Sequence, residues 1–120
     1  MSKFDAETLH ALRDVQEVAI CTDAHPGNAV TIWVVVAGED VFVRSVRGAK
    51  GRWFRDLATG GLATLELAGR RLAVRAIPAN EPDPVAKASR EYLRKYASSP
   101  YAQAMVRPET LPTTLRLEPR

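Results

Sequence analysis

The sequence predicts a mainly β (α+β) domain, in which six mostly antiparallel strands roll into a small barrel with helices at its periphery. Three observations favour this fold. Several segments alternate apolar and polar residues or are rich in β-branched residues, as strands are. Short turns join consecutive strands, which is typical of antiparallel hairpins. All seven glycines lie between Gly27 and Gly69, where tight β-turns need them.

The 120 residues suffice for a single domain, 1–120, with a real hydrophobic core and leave no room for a second domain. Apolar residues make up 46% and charged residues 26%, which excludes a disordered chain. The single cysteine, Cys21, excludes an internal disulfide and a cysteine-cluster metal site, and fits a reducing cytoplasm. No apolar run approaches the roughly 18 residues of a membrane helix, and the N-terminus does not resemble a signal peptide. We therefore expect a cytoplasmic protein.

The element order is helix, three strands, short helix, two strands, helix and strand. The first helix is capped by Asp5, with Phe4 and Leu9 as a hydrophobic staple, and ends near Asp14. We predict strands at 18–21, 29–37, 41–45, 63–67, 72–76 and 113–117. We predict helices at 51–59 and at 83–97, the latter capped by Asp83 with Pro84 in its first turn, and a helical turn at 101–105.

Strand 29–37 is β-branched and aromatic throughout, which indicates burial on both faces. A six-stranded barrel of this size has little interior to cover such a strand. We therefore expect a subunit interface on one face, and hence a homodimer.

The most informative segment runs from Arg44 to Arg55, which contains five basic residues and no acid. It leaves a strand, passes through a glycine-containing loop and enters a helix, so backbone N–H groups and the helix N-terminus can face an anion. Arg47 and Arg52 can grip phosphate oxygens with two N–H groups each, while Lys50 adds a point charge. Ser45 offers a hydroxyl donor, and Trp53 can lie against an aromatic ring. This pattern favours a phosphorylated aromatic cofactor or nucleotide as ligand.

The same segment has a simpler interpretation, which is a solvated loop followed by a core tryptophan. It matches neither the G-x-x-x-x-G-K-[ST] nor the G-x-G-x-x-G phosphate-binding motif. The two interpretations have about equal weight on the sequence alone.

Side-chain catalysis has little support. His10 and His25 lie at no spacing that joins them to an acid and a thiol as a metal site or a triad, so we expect surface histidines. Cys21 falls within a strand, where a small buried apolar residue is more common than a nucleophile. Tyr92 and Tyr96 share a helix face and are expected in the core or a subunit contact. We predict no catalytic side chain and no metal ligand, so any chemistry comes from a cofactor.

Most of the chain, from about Phe4 onward, resembles a small family of bacterial proteins known only as an uncharacterised domain. The residues that carry the resemblance are T-I-W-V-V (31–35), V-F-V-R-S-V-R-G (41–48), R-W-F-R (52–55), R-E-Y-L-R-K-Y (90–96) and T-T-L-R-L-E-P-R (113–120). That family is similar to the split β-barrels of the pyridoxamine-phosphate-oxidase type. Its nearest functional relatives there are the deazaflavin-dependent nitroreductase-like enzymes.

The resemblance implies a six-stranded split β-barrel that forms a homodimer, with FMN or a deazaflavin in a cleft at or near the dimer interface. It implies that basic and hydroxyl residues after the third strand hold the phosphate and that the second strand lies near the ring. The matching positions are Arg44, Ser45, Arg47, Gly48, Lys50 and Trp53 at the phosphate, and Thr31 and Trp33 at the ring. The compact R-S-V-R-G-A-K-G-R-W sequence departs from the lysine-rich, longer glycine stretch that is usual in the deazaflavin enzymes.

The function that follows is that of an oxidoreductase, which transfers a hydride between the cofactor and a small molecule. One alternative is a non-enzymatic split barrel that binds a small ligand or acts as a sensor after losing its flavin. Another is a nucleic-acid-binding barrel, which the pI of about 9.4 invites. Trp33 and Phe42 lie in strongly apolar strands rather than on an open stacking face, so nucleic acid ranks last.

Overall fold

The computed structural model describes residues 3–120 and shows a nearly closed antiparallel β-barrel with three α-helices around it. The strands are β1 (Val18–Thr22), β2 (Val30–Ile32), β3 (Val34–Ala37), β4 (Asp40–Val43), β5 (Gly61–Leu67), β6 (Arg70–Pro78) and β7 (Leu115–Pro119). The helices are α1 (Ala6–Asp14), α2 (Arg52–Leu57) and α3 (Pro82–Lys95). Three short 3-10 helices lie at Gly48–Lys50, Ala102–Val106 and Leu111–Thr113.

The start of α1 confirms the predicted cap. The Asp5 carboxylate accepts a hydrogen bond from the backbone N–H of Thr8 at 2.8 Å, which satisfies a donor that has no partner within the helix. Hydrogen bonding by Thr8, first through its side chain and then through its backbone N–H group, lowers the pKa of Asp5. Phe4 and Leu9 are both buried, as a hydrophobic staple requires.

The strand order across the sheet is β2-β1-β5-β6-β7-β4-β3, and every neighbouring pair is antiparallel. The longest pairing joins β5 to β6, from Gly61 opposite Ala76 to Leu67 opposite Arg70. The C-terminal strand β7 lies between β6 and β4, so the end of the chain connects the two halves of the barrel.

The predicted strand 29–37 is two strands, because the chain changes neighbours at Trp33. The segment before Trp33, β2, pairs with β1, whereas the segment after it, β3, pairs with β4. These two segments therefore stand at opposite edges of the sheet, and the peptide chain through Trp33 closes the barrel. A segment that pairs with one strand at each edge of the sheet must bend between the two pairings. The structure therefore has seven strands where the sequence predicts six.

Helix α3 supplies the backbone at this bend with hydrogen-bond partners. Tyr92 donates its hydroxyl proton to the backbone oxygen of Trp33 at 3.2 Å. The Tyr96 hydroxyl oxygen accepts from the backbone N–H of Val34 at 3.2 Å, and the Lys95 amine donates to the backbone oxygen of Val34 at 2.7 Å. The three side chains are three and four residues apart, so they project from one face of the helix. Side chains of α3 and of its C-cap residue, as well as strand pairing, thus stabilise the bend between β2 and β3.

Burial on both faces holds for β3 but not for β2. Val34 and Val36 face the barrel interior, while Val35 is buried under α3 together with Phe42 and Tyr92. The second face of β3 is therefore covered by α3 of the same chain. The argument that a second subunit must cover this strand does not hold for β3. In β2 the burial prediction is wrong at its first two residues, because Val30 and Thr31 are exposed.

Other boundaries shift by a few residues. Helix α3 begins after Glu81, with Pro82 rather than Pro84 as its first residue, because the first turn of a helix tolerates proline at more than one position. It ends at Lys95 rather than near residue 97, and the last strand lies at Leu115–Pro119 rather than at 113–117. No helix within residues 3–120 is long and apolar enough to cross a membrane.

Candidate functional site

The barrel opens where the chain continues beyond Val43, the last residue of β4. The last pair of the β3–β4 ladder is Val34 with Val43, and the same register would place residues 44–47 beside residues 33–30. These two stretches separate instead, and a pocket of about 450 Å³ lies between them, here called the split pocket. Residues 30–33 form one wall of this pocket and residues 44–47 the other.

The backbone explains why the pairing stops there. The N–H group of Ser45 donates to the Thr113 hydroxyl oxygen at 3.0 Å, and the Ser45 carbonyl accepts from the N–H of Gly48 at 2.9 Å. Both backbone groups of Ser45 are therefore bound away from β2. The remaining lining comes from α2 and from the segment around the second 3-10 helix, namely Gly51, Arg52, Trp53, Tyr101, Ala104, Met105 and Arg107, together with Glu17.

Aromatic side chains border the split pocket at three places. Trp33 is half-buried and stacks on Tyr96, with ring centroids 3.9 Å apart and planes 3° from parallel. Trp53 is buried and meets Phe54 edge to face at 6.4 Å. Tyr101 is 71% exposed and stands at the rim. Stacking restricts the Trp33 ring, so this wall is rigid and offers an aromatic surface to a ligand.

The lining is strongly positive. Arg47, Arg52 and Arg107 are exposed, and none of them forms an ion pair with another side chain of residues 3–120. Glu17 is the single acid in the lining. Free guanidinium groups bind phosphate and carboxylate with paired N–H donors, so the pocket favours an anionic ligand.

The floor near Arg47 is made by a tight contact between Ser45 and Gly51. A Cβ atom at Gly51 would lie 2.4 Å from the Ser45 hydroxyl oxygen, so glycine is needed for the loop to approach so closely. Within residues 3–120 this hydroxyl is the one buried polar side-chain atom without a hydrogen-bond partner. Native proteins satisfy such groups, and an unused hydroxyl beside free arginines is consistent with a phosphate-binding site.

Arg44 borders the pocket, but its guanidinium group faces the protein interior and is 1% exposed as a residue. Its N–H groups donate to Thr114 Oγ1, Ser89 Oγ and the backbone oxygens of Met105 and Val85, over 2.8 to 3.0 Å. The group also lies 5.5 Å from the centre of the Tyr92 ring. Burial lowers the pKa of Arg44. This arginine joins β4 to α3 and to the 3-10 helix that carries one wall of the pocket.

Comparison with known proteins places the chain in a family. Residues 7–117 match the family model described as "Uncharacterized protein conserved in bacteria (DUF2255)". The chain belongs to this family. No curated protein and no solved structure matches the chain.

In this DUF2255 member, six of the eight predicted site residues line the split pocket. They are Thr31, Trp33, Arg44, Ser45, Arg47 and Trp53. Gly48 and Lys50 lie outside the lining. Gly48 adopts a positive φ of 65° and packs against the backbone of Glu109, so it shapes the loop. Lys50 is the last residue of the short 3-10 helix, and it is exposed.

Sequence reasoning missed the lining residues that come from distant parts of the chain. Glu17 precedes β1, and Tyr101, Met105 and Arg107 follow α3. No local pattern marks them, because only the folded barrel brings these segments beside residues 44–53. Arg52 belongs to the basic run that the sequence singles out, and it does line the pocket.

Both histidines are exposed, as the sequence predicts, and each contacts an acid. His10 lies 3.1 Å from Asp14 on the surface, and His25 Nδ1 lies 2.7 Å from an oxygen of Asp56, which also accepts from the hydroxyl of Thr22. These bonds, that of Thr22 first, lower the pKa of Asp56. The pair fastens the loop before β2 to α2. Within residues 3–120, no group of three or more His, Cys, Asp or Glu side chains could hold a metal ion.

Proposed function

We propose that the split pocket binds a phosphorylated aromatic cofactor of the flavin class, FMN or a deazaflavin, and that the protein is an oxidoreductase that transfers a hydride to or from a small molecule. The observation that carries this proposal is the lining. Three unpaired arginines and three aromatic side chains surround a pocket of about 450 Å³ that contains a single acid. This volume lies within the usual range for cofactor sites, about 300 to 1,000 Å³.

The phosphate would be held at the arginine end of the pocket. Arg47 and Arg52 have free N–H donors there, and paired N–H groups suit phosphate oxygens. Ser45 supplies the hydroxyl that has no partner within the protein. Arg44 takes no direct part in this proposal, because its guanidinium group is already bonded inside the protein.

The ring would lie along β2, between Thr31 and Trp33 on one wall and the segment of Met105 on the other. A bound flavin or deazaflavin supplies the hydride chemistry. The protein's residues orient the ring and exclude water from its apolar surface. No histidine, cysteine or lysine lies in the lining, and the role proposed for the chain is binding and electrostatics.

A second copy of the chain is the proposed partner. Residues 3–120 expose four large apolar side chains, and three of them, Val30, Val46 and Tyr101, border the split pocket. Exposed apolar side chains that lie together are typical of a protein–protein interface. We propose a cytoplasmic homodimer with the pocket at or near the interface. Light scattering tests this, and a strictly monomeric species would overturn it.

Cofactor retention tests the proposed function directly. The purified protein is mixed with FMN, or with its 5-deaza analogue, and freed of unbound ligand before an absorbance spectrum is recorded. We expect a retained flavin band with one of the two. Retention of neither at concentrations well above micromolar would overturn the proposal, and retention without turnover of any electron acceptor would favour a ligand-binding or sensor role.

Two matched variants locate the phosphate. Arg47→Ala or Arg52→Ala removes a charged donor from the lining and should weaken FMN binding about 10- to 100-fold, since a hydrogen bond to a charged group contributes about 1.5–3 kcal/mol. Arg55→Ala is the control, because Arg55 is an exposed arginine of α2 outside the lining. Equal affinity in all three variants would contradict this assignment.

A further inference from the structure

The split pocket has an acid, Glu17, at one end and a free arginine, Arg52, toward the other end. The ends are set by β2, which lines the pocket from Val30 to Trp33. Three residues of strand span about 10 Å, which is close to the length of a three-ring aromatic system.

Glu17 lies at the Trp33 end. The β1–β2 ladder pairs Val18 with Ile32, and the same register places Glu17 beside Trp33. The adjacent residue gives independent support, because the backbone oxygen of Gln16 accepts from the Tyr96 hydroxyl at 2.7 Å, and the Tyr96 ring is the one stacked on Trp33. Glu17 forms no ion pair with residues 3–120.

One of the free arginines, Arg52, lies toward the other end. Arg52 stands one helical turn before Asp56, which is bonded to Thr22 at the far end of β1 from Glu17. Arg52 and Glu17 are thus separated along the length of the pocket.

We propose that Glu17 is a specificity-determining residue, whose carboxylate accepts a hydrogen bond from an N–H group at the end of the ligand remote from its phosphate. This inference rests on the proposed function and adds the direction in which the ligand lies. Arg52 holds the anionic group toward the Val30 end of the pocket, and Glu17 accepts a hydrogen bond from the N–H group near Trp33. In a flavin or a deazaflavin, that group is the imide N–H of the pyrimidine ring.

The chemistry of a carboxylate explains why Glu17 discriminates between ligands and does not simply attract them. A carboxylate only accepts hydrogen bonds, so it rejects a ligand with an acceptor or a methyl group at that position. It also repels the phosphate, which prevents the ligand from binding in the reverse direction. Truncation of Glu17 is expected to have two opposite effects on affinity, because repulsion and a hydrogen bond are both lost.

A ratio of affinities separates these two effects. FMN and 3-methyl-FMN carry the same phosphate, but the second has a methyl group in place of the imide hydrogen. Their dissociation constants are measured by flavin fluorescence for the wild type, Glu17→Ala and Glu39→Ala. Glu39 is the matched control, because it is an exposed acid in the β3–β4 turn and does not line the pocket.

We expect the wild type and Glu39→Ala to bind FMN at least about tenfold more tightly than 3-methyl-FMN, as the loss of a charged hydrogen bond requires. In Glu17→Ala this ratio should fall below about twofold. A ratio near one in the wild type, or an unchanged ratio in Glu17→Ala, would overturn the role of Glu17 and leave FMN binding established. Binding of neither FMN nor its 5-deaza analogue to the wild type would overturn the proposed function, and the role of Glu17 with it.

Discussion

The two halves of segment 30–37 have the same kind of sequence and opposite surroundings. In β3, Val34 and Val35 are fully buried, between the barrel interior and α3. In β2, Val30 and Thr31 are exposed and form a wall of the split pocket. The difference arises from what lies across the strand rather than from the residues themselves. The barrel is closed where α3 provides side-chain partners for β3, and this part is called the closed region. It is open where the chain after Arg44 turns away from β2, and this part is called the open region.

Arg44 is the strongest test of the closed region. Arg44→Met should lower the free energy of unfolding by about 3–5 kcal/mol, because several bonds to a charged group, each contributing about 1.5–3 kcal/mol, are lost together. Urea unfolding measures this. Arg47→Met in the open region should change stability by no more than about 0.5 kcal/mol. Similar values for the two variants would contradict the distinction drawn between these arginines.

Tyr96 tests the bend of the strand itself. Tyr96→Phe removes the hydroxyl that bonds the backbone N–H of Val34 and should cost about 2–3 kcal/mol, because a buried N–H group is left without a partner. The matched control is Tyr101→Phe, since Tyr101 is 71% exposed. Thermal unfolding of both variants compares them, and an equal effect would mean that water replaces the lost hydroxyl.

Gly51 and Ser45 test the tight packing beside the open region. Gly51→Ala should destabilise the protein by about 1–2 kcal/mol, because the new Cβ lies 2.4 Å from the Ser45 hydroxyl oxygen. The double variant Ser45→Ala/Gly51→Ala should recover most of this loss, since the nearest remaining atoms would be 3.5 Å and 3.6 Å away. Additive effects in a double-mutant cycle would show that the contact with Ser45 is not the cause.

Lys95 gives the smallest expected effect, in the pH dependence of the closed region. Burial, aided by Arg94 and opposed by Asp14, lowers the pKa of Lys95 from 10.5 to about 8. Between pH 8 and pH 10.5 the unfolded chain therefore keeps a proton that the folded chain releases, so the contribution of Lys95 to stability rises with pH.

Chemical denaturation at pH 8.0 and pH 9.5 measures this contribution. These values lie below about pH 10, near which the tyrosines begin to lose protons in the unfolded chain. In the folded chain burial raises the pKa of Tyr96 to about 12 and that of Tyr92 further, so neither tyrosine titrates there in this range. Stability should rise more in the wild type than in Lys95→Met. A titration midpoint for the Lys95 Cε resonance well above pH 9 would contradict the prediction.

The sequence predicted much of the fold and part of the site. Period-two alternation located β5 and β6, and the cap at Asp5 located α1, because these signals depend on neighbouring residues alone. The basic segment pointed to Arg47, Arg52 and Ser45, which all line the split pocket. The break at Trp33 has no local sequence signal. A continuous apolar run has the same pattern whether it pairs with one set of neighbouring strands or changes from one set to another.

What the sequence by itself determined is the mainly β class, the general order of helices and strands, and a basic loop after the strand predicted at 41–45. These follow from periodicity, turn residues and charge within short stretches of chain. Only the tertiary structure decided which arginine is buried and which is free, since Arg44 and Arg47 are identical residues three positions apart. It also decided that Glu17 and Arg107 share one pocket, because a barrel brings together residues that the chain keeps far apart.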